Sequence, residues 1–260
     1  GRTKFFVSLE DDLMKNWGPD WIQDTYHDYD VDERIGVTKP LTKRKYKNLV
    51  ERAQNASESS GRTSRRQTLE FAESMNIQRD IIYKERDRLI KQEGRLDEIV
   101  EQVVREVFVR VAKNKDYIEP IAFYRYILDN VSYQVDPQTA HQSFRSKKTK
   151  ANFLWEIAQR ELEEKYAILG TDEVIAQFQR MAILKAIDEN WVEQVDYLQQ
   201  LRAALSGQYA SQKNPLVEFF QEAYQSFERM KALSKEQMVR NLLLSRVEIN
   251  KKGEIVLHFP

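Results

Sequence analysis

Residues 171–230 read TDEVIAQFQRMAILKAIDENWVEQVDYLQQLRAALSGQYASQKNPLVEFFQEAYQSFERM. Apolar residues in the first part recur every three or four positions, the period of one face of an α-helix. These residues are Phe178, Met181, Leu184, Ile187, Trp191, Val195, Leu198, Leu201 and Leu205. A polar segment at 206–213 interrupts the period, after which Asn214 and Pro215 provide a cap and a first helical residue. A linker this short makes the two helices antiparallel neighbours, so the stretch predicts a helical hairpin with an exposed tip.

The composition of the whole chain favours long solvated helices over a compact globule. The 260 residues are 32% charged and include only eight Gly and six Pro, which is typical of one to three helical subdomains. Basic and acidic residues are equal in number at 41 each, so no overall field argues for nucleic acid. Cysteine is absent, and no apolar run approaches the roughly 20 residues that cross a bilayer. We expect a soluble chain in an intracellular setting, without disulfides or thiolate metal sites.

Two features mark the first forty residues. The run TKFFVSL at 3–9 predicts a short β-strand whose partner strands would lie upstream, so we expect the chain to begin inside a domain. The acidic, aromatic-rich segment that follows contains potential metal ligands at Asp24, His27, Asp28 and Asp30. These residues match no loop signature with glycine at the required turn, so a solvated charged surface is the favoured interpretation.

Residues 40–92 tolerate a helix almost throughout, which at about 1.5 Å per residue would extend on the order of 75 Å. Such a length is typical of a scaffold or a coiled coil. A first apolar stripe contains Tyr46, Leu49, Val50 and Ala53, and a second contains Leu69, Ala72, Met75, Arg79 and Ile82. The polar segment between them includes Gly61, which predicts a kink or loose joint.

Gly94 ends this pattern, and four shorter helices follow at about 96–111, 120–130, 137–144 and 151–169. They predict a separate small helical domain. The third linker carries Arg145, Lys147, Lys148 and Lys150, which could bind a phosphate or lipid headgroup or could form an ordinary exposed loop.

The last part of the chain changes period. Ser234 and Gln237 have the spacing of a capping box, which predicts a further helix to about residue 246. Alternation at Val247 and Ile249, and again at 255–259 after a Lys-Lys-Gly turn, predicts a C-terminal β-hairpin.

Three segments together resemble the SecA family, the ATP-driven motors of bacterial preprotein export. AQNASESSGRTSRRQTLEFAESMNIQRDIIYKERDRL at 53–89 resembles the long scaffold helix, and ILKAIDENWVEQVDYLQQLRAALSGQYASQKNP at 183–215 resembles the two-helix finger. FFVSLEDDLM at 5–14 is similar to the strand and turn after the last helicase motif of the second nucleotide-binding domain. The segments cover about a third of the chain and follow the family's order.

The resemblance implies a mainly α architecture with five parts. These are the end of an α/β motor domain with its short strand at 1–39, a scaffold helix at 40–93, a helical wing at 94–170, the two-helix finger with the scaffold return at 171–246, and a C-terminal β-hairpin at 247–260.

The resemblance also implies a function. The finger tip would contact a translocating preprotein at a SecY-type channel, through Leu205, Gln208, Tyr209, Ala210 and Lys213. Contact with the motor domains would involve Gln78, Arg79, Trp191 and Arg202, which would couple the finger to ATP hydrolysis. The resemblance implies ATP and Mg²⁺ as cofactors of the full-length protein. It also implies a cytoplasmic protein that binds peripherally to the inner face of the bacterial cell membrane. Anionic lipid is a further candidate partner, and nucleic acid is not expected.

Catalysis is not expected from these residues. The chain has no phosphate-binding Gly-Lys loop, and its three histidines, His27, His141 and His258, are far apart in sequence. We therefore predict no ATP hydrolysis by this chain alone. The alternative to a translocase part is a helical coiled-coil adaptor whose similarity to SecA reflects helical periodicity.

Several positions depart from the usual SecA pattern. Tyr209 and Ala210 replace the usual Gly and Tyr of the tip, Gln194 stands where the family usually has His, and a β-hairpin replaces the Cys-rich zinc-binding tail. These departures resemble the accessory, second paralogue of some Gram-positive bacteria.

Overall fold

The computed structural model describes residues 1–3, 6–22, 46, 48–142, 146–206, 215–250 and 255–260, and the side chains of 141, 142, 206 and 215 are outside the description. The potential ligands at Asp24, His27, Asp28 and Asp30 lie outside the described residues. The chain divides into two compact units, residues 1–72 and 73–260.

Helices dominate the described residues, which confirms the predicted mainly α fold. The helices are α1 (Asp12–Trp17), α2 (Leu49–Lys91), α3 (Asp97–Lys113), α4 (Pro120–Asn130), α5 (Pro137–Gln142), α6 (Lys147–Leu169), α7 (Asp172–Ser206) and α8 (Pro215–Leu244). A short 3₁₀ turn, Lys115–Tyr117, precedes α4, and strands β1 (Arg246–Ile249) and β2 (Ile255–His258) end the chain. The hydrophobic period predicted the helical hairpin, the four shorter helices before it and the C-terminal strands to within a few residues. The exception is the last helix, which was predicted to begin anew at Ser234.

The first unit has a small core. Met14, Ile22, Tyr46, Leu49 and Ala53 are buried together, as the first predicted stripe of the long helix requires. The predicted N-terminal strand is not formed in the described part of 1–9, where residues 6–8 have no regular secondary structure and Phe6 is 84% exposed. No strand pairs with this run among the described residues, so its backbone has no ladder to join.

Helix α2 is continuous through Gly61, so this residue does not interrupt the helix, and the predicted kink there stays a prediction. Ion pairs four residues apart support this helical segment, with Arg62 Nη2 2.5 Å from Glu58 Oε1 and Arg66 Nε 3.1 Å from Glu70 Oε1.

The second predicted stripe of α2 also needs correction. Leu69 is 70% exposed, whereas Phe71 is buried. At about 100° per residue, Phe71 lies on the same face as the buried Gln78 and Ile82, and Leu69 lies on the opposite face. The position of a residue around the helix, rather than its hydrophobicity alone, therefore decides that Phe71 is buried and Leu69 is exposed.

The second unit has one large core. Helices α3, α4, α6, α7 and α8 all contribute to it, through fully buried side chains that include Phe108, Phe123, Leu154, Phe178 and Leu242. The predicted boundary between a wing at 94–170 and a finger at 171–246 stays a prediction about subdomains within this shared core.

The basic cluster before α6 is only partly a surface feature. Ser146 caps α6 by accepting a hydrogen bond from the backbone N–H of Thr149 at 3.1 Å. Lys150 is buried, and its Nζ donates to the carbonyl oxygen of Tyr117 at 3.0 Å. Lys150 therefore joins α6 to the 3₁₀ turn. Arg145, also part of the predicted cluster, lies outside the described residues.

Helix α8 requires a further correction. It runs from Pro215 to Leu244 without interruption, so the predicted new helix at Ser234 is wrong. The Ser234 side chain is buried, and its Oγ donates to Met230 Sδ at 3.4 Å instead of capping a helix. A serine followed three residues later by glutamine also occurs inside helices, where the hydroxyl can bond one turn back.

Candidate functional site at the base of the helical hairpin

Helices α7 and α8 form the predicted hairpin, with α2 packed against it. The apolar stripe of α7 is buried at Phe178, Ile187 and Leu198, as predicted, but Met181 is 50% exposed. Helix α8 contributes Phe219, Ala223, Phe227 and Met230 to the opposite side. The base of the hairpin is therefore a three-helix junction formed with the second half of α2.

A buried polar network crosses this junction. Gln78 of α2, Gln194 of α7 and Ser226 of α8 are 6%, 4% and 5% exposed. Gln194 Nε2 donates to Gln78 Oε1 and to Ser226 Oγ, both at 3.0 Å. Gln78 Nε2 donates to the carbonyl oxygen of Ala223 at 2.9 Å, and Ser226 Oγ donates to the same oxygen at 3.0 Å. One set of hydrogen bonds thus links all three helices.

Such a network has two physical consequences. Each member satisfies a buried polar group whose desolvation would otherwise cost about 1–3 kcal/mol. Because amides bond at defined distances, sliding one helix past another would break several bonds together, whereas apolar contacts could be exchanged for similar ones. The network therefore specifies the axial register of α2 against α7 and α8.

A charged pair lies beside this network. Arg86 of α2 donates from Nη2 to Asp188 Oδ2 at 3.0 Å, and its Nε lies 2.6 Å from Oδ1. The side chains are 27% and 46% exposed, so solvent screens much of their attraction. The pair adds directionality to the α2–α7 contact and only a small stabilisation.

The end of α2 is held by α7. Arg180 Nε donates to the carbonyl oxygen of Leu89 at 3.0 Å, and its Nη2 donates to that of Gln92 at 2.7 Å. These carbonyls include acceptors that a helix C-terminus leaves without partners. Gly94 then turns the chain with φ 72°, in the region that favours glycine.

The chain that follows is anchored to the same helix. Gln179 is fully buried, accepts a hydrogen bond from the N–H of Leu96 at 2.7 Å, and donates to Asp97 and the Tyr166 hydroxyl at 2.7 Å each. Burial raises the pKa of the Tyr166 hydroxyl above its ordinary value, so the group stays protonated. One turn of α7 thus fixes both the end of α2 and the start of α3.

The tip of the hairpin carries most of the predicted contact residues. Gln208, Tyr209, Ala210 and Lys213 lie outside the described residues. Leu205, at the end of the described part of α7, is buried. The tip contacts stay predictions.

The predicted motor-coupling residues divide into two groups. Gln78 is a member of the buried network, and Trp191 is partly buried against the core. Arg79 and Arg202 are exposed. The assignment of all four residues to motor contact stays a prediction.

Sequence reasoning missed the partners within the junction. Gln194 was noted only as a departure from the family, and Ser226, Asp188 and Arg180 received no structural role. A signal was present, because Gln194 and Ser226 occupy positions in otherwise apolar helical stripes. A polar side chain at such a position is expected to find a buried partner.

Within the described ranges, no group of three His, Asp or Glu side chains is arranged to hold a metal ion. No helix in that part of the chain is both long enough and apolar enough to cross a membrane.

A long helix bonded to the base of a helical hairpin, with further helices between the two in sequence, is the architecture of a helical scaffold. Residues 40–246 match the family described as the SecA Wing and Scaffold domain. The chain belongs to the SecA family.

Curated relatives point to one branch of the family. The chain is 47% identical over 260 residues to protein translocase subunit SecA 2 of Streptococcus gordonii and 49% identical over 260 residues to that of Streptococcus sanguinis strain SK36. It is 31% identical over 260 residues to SecA 2 of Staphylococcus aureus strain Newman. Each match covers 100% of this chain but 33% of the relative, so the chain spans about a third of their length. The predicted resemblance to the accessory paralogue is confirmed.

Proposed function

We propose that this chain is the mechanical and regulatory part of an ATP-driven motor for preprotein translocation. Membership in the SecA family and the relatives named protein translocase subunit support this role. In the proposed mechanism, the α7–α8 hairpin carries its tip to a translocating polypeptide at a SecY-type channel.

The observation that carries the proposal is the fastening of α2 to the base of the hairpin. The buried amide network, the Arg86–Asp188 pair and the Arg180 cap join α2 to α7 and α8 at successive points along the helix. A displacement of α2 would move the hairpin with it, because slippage requires several hydrogen bonds to break together. This is the property of a lever.

The rest of the machine would lie in the remaining two-thirds of a protein of the relatives' size. That part would bind ATP and Mg²⁺ and drive α2, while this chain supplies no phosphate-binding loop. The full-length protein would act on the cytoplasmic side of the bacterial membrane as a peripheral protein. Its partners would be unfolded preprotein, a SecY-type channel and, as a further candidate, anionic lipid.

Of the four residues predicted to contact the motor domains, we assign direct contact to Arg79 and Arg202, which are exposed. Gln78 and Trp191 are positioning residues, since their side chains pack within this chain. In the full-length protein, Arg79→Ala is expected to change the ratio of stimulated to basal ATP hydrolysis, whereas Arg88→Ala, on an exposed turn of the same helix, leaves it unchanged. Equal ratios for both variants would remove Arg79 from the coupling surface.

Photo-cross-linking tests the role of the tip. A benzophenone side chain at position 209 of the full-length protein is expected to cross-link to a preprotein stalled during translocation. The same group at Val192, which is 67% exposed on the shaft of the hairpin, is the control and is expected to give little product. Products that contain only a second hairpin from another copy would instead support a coiled-coil adaptor and contradict the proposal.

A further inference from the structure

The C-terminal β-hairpin has no role in the function proposed above, yet it is firmly attached. Its strands pair antiparallel, with Val247 opposite Leu257 and Ile249 opposite Ile255. Val247, Leu257 and Phe259 pack against the large core, and the Phe259 ring is stacked on that of Phe178 of α7, with centroids 6.4 Å apart and planes at 5°. The hairpin therefore has a fixed position on α7.

An open groove of about 590 Å³ runs between β2 and α7. Helix α7 lines it with Met181, Leu184 and Lys185, and the strand side is lined by Leu257, His258 and Phe259. Leu257 and His258 are the last two residues of β2, and Phe259 follows them, so the groove lies beside the C-terminal end of the strand.

The outer edge of β2 has unused hydrogen-bonding groups. Over the described residues the sheet has two strands, and no backbone group from outside the hairpin bonds to β2. In an antiparallel ladder, half of the residues of an edge strand direct their N–H and C=O groups away from the partner strand. These groups can accept one further extended chain.

The two strands differ in how their edges are protected. Strand β1, Arg-Val-Glu-Ile, carries two charged residues, whereas β2, Ile-Val-Leu-His, contains neither a charged Lys, Arg, Asp or Glu nor a proline. Charges and proline are the usual means by which proteins prevent edge strands from pairing. Strand β2, and not β1, contributes residues to the groove.

We propose that β2 and α7 form a docking groove for an extended segment of unfolded polypeptide. The segment adds to the edge of β2 as a third strand, and its alternate apolar side chains enter the groove against Met181 and Leu184. The repeated donors and acceptors of the edge select an extended backbone, and the apolar floor selects its side chains. Lys185 is paired with Glu189, so the groove requires no acidic residue in the segment. The bound segment would belong to the unfolded preprotein, so this inference rests on the function proposed above.

Hydrogen exchange detected by mass spectrometry tests the groove in the full-length protein. The probe is reduced, carboxymethylated α-lactalbumin, which is permanently unfolded. We expect its addition to slow exchange in the peptide that covers residues 255–260.

Two matched variants test the site. Met181→Glu places a carboxylate in the apolar groove, so we expect binding at β2 to weaken by at least about tenfold and the protection to disappear. Val192→Glu makes the same change at another exposed apolar position of α7 and is expected to preserve the protection.

Three results would overturn the proposal. Binding of the probe without slower exchange at 255–260 would place it elsewhere. Protection of β2 without probe would mean that the full-length protein covers the edge itself, and protection that grows with protein concentration alone would mean pairing between copies. Failure of the cross-link at position 209 would leave the β2 result intact, so the two proposals fail separately.

Discussion

The two halves of α2 belong to one continuous helix but differ in composition and in what they bury. Residues 54–69 include no buried side chain, although the helix is continuous there. From Phe71 onward one face is buried, and Gln78, Ile82 and Leu89 follow at intervals of seven, four and seven residues. The difference shows that helical length alone does not make a mechanical connection. A connection requires an apolar stripe to be covered and polar groups within it to be paired across the interface.

The largest effect is expected from equal truncations in the two halves. Leu89 is buried and Leu69 is exposed, so Leu89→Ala should cost about 2–5 kcal/mol of unfolding free energy, and Leu69→Ala less than about 0.5 kcal/mol. Urea unfolding of the two variants measures the difference. Similar losses at both positions would mean that the first half of the helix is covered as well.

A smaller effect is expected from the amide network. Gln194→Ala leaves Gln78 Oε1 and Ser226 Oγ without their donor, which should cost about 1–3 kcal/mol. Gln199→Ala, at an exposed position of the same helix, is the control and should change stability by less than about 0.5 kcal/mol.

The double variant of Gln78 and Gln194 sharpens this prediction. Because the two side chains share a hydrogen bond, their separate losses should not add. Additive losses in a double-mutant cycle would argue that the two amides act independently and do not fix the register of α2.

The Arg86–Asp188 pair should contribute less than the network. Asp188→Ala is expected to cost about 0.2–1 kcal/mol, since both side chains are partly solvated. The loss should diminish in 1 M salt, where charges are screened over about 3 Å. A loss that is independent of salt would assign the effect to packing rather than to charge.

The smallest effect concerns pH on the hairpin shaft. Arg229 donates to Glu222 at 2.6 Å and Tyr197 donates to it at 2.8 Å, and these bonds, with that of Arg229 the stronger, lower the pKa of Glu222 below its ordinary value. The stabilisation is therefore present above the ordinary pKa of glutamate and is lost as pH falls through the lowered value. Glu222→Gln should reduce stability at neutral pH and match the parent chain in strong acid, as measured by thermal unfolding across pH. A constant difference between the two proteins would exclude ionisation as the cause.

Hydrophobic period predicted which segments form helices and strands, but it did not predict how they are joined. The hairpin, the wing helices and the C-terminal strands follow from local spacing alone. Gln78, Gln194 and Ser226 could not be paired in this way, since their contact depends on the axial register of three helices that are distant in sequence. Leu69 was misplaced because its stripe advances mainly in steps of three residues, each about 60° short of a full turn, so the stripe drifts away from the face of Ile82.

The hydrogen bonds from Arg180 to Leu89 and Gln92 provide a direct path for force between α2 and α7. A force along α2 would reach α7 directly, through the two hydrogen bonds from the Arg180 guanidinium to the carbonyl oxygens of Leu89 and Gln92. It would not have to pass through the peptide bonds of the turn at Gly94. The turn itself joins α2 to α3, and the start of α3 is anchored to Gln179, the residue before Arg180. The turn is therefore held at both ends by one turn of α7, which constrains its length.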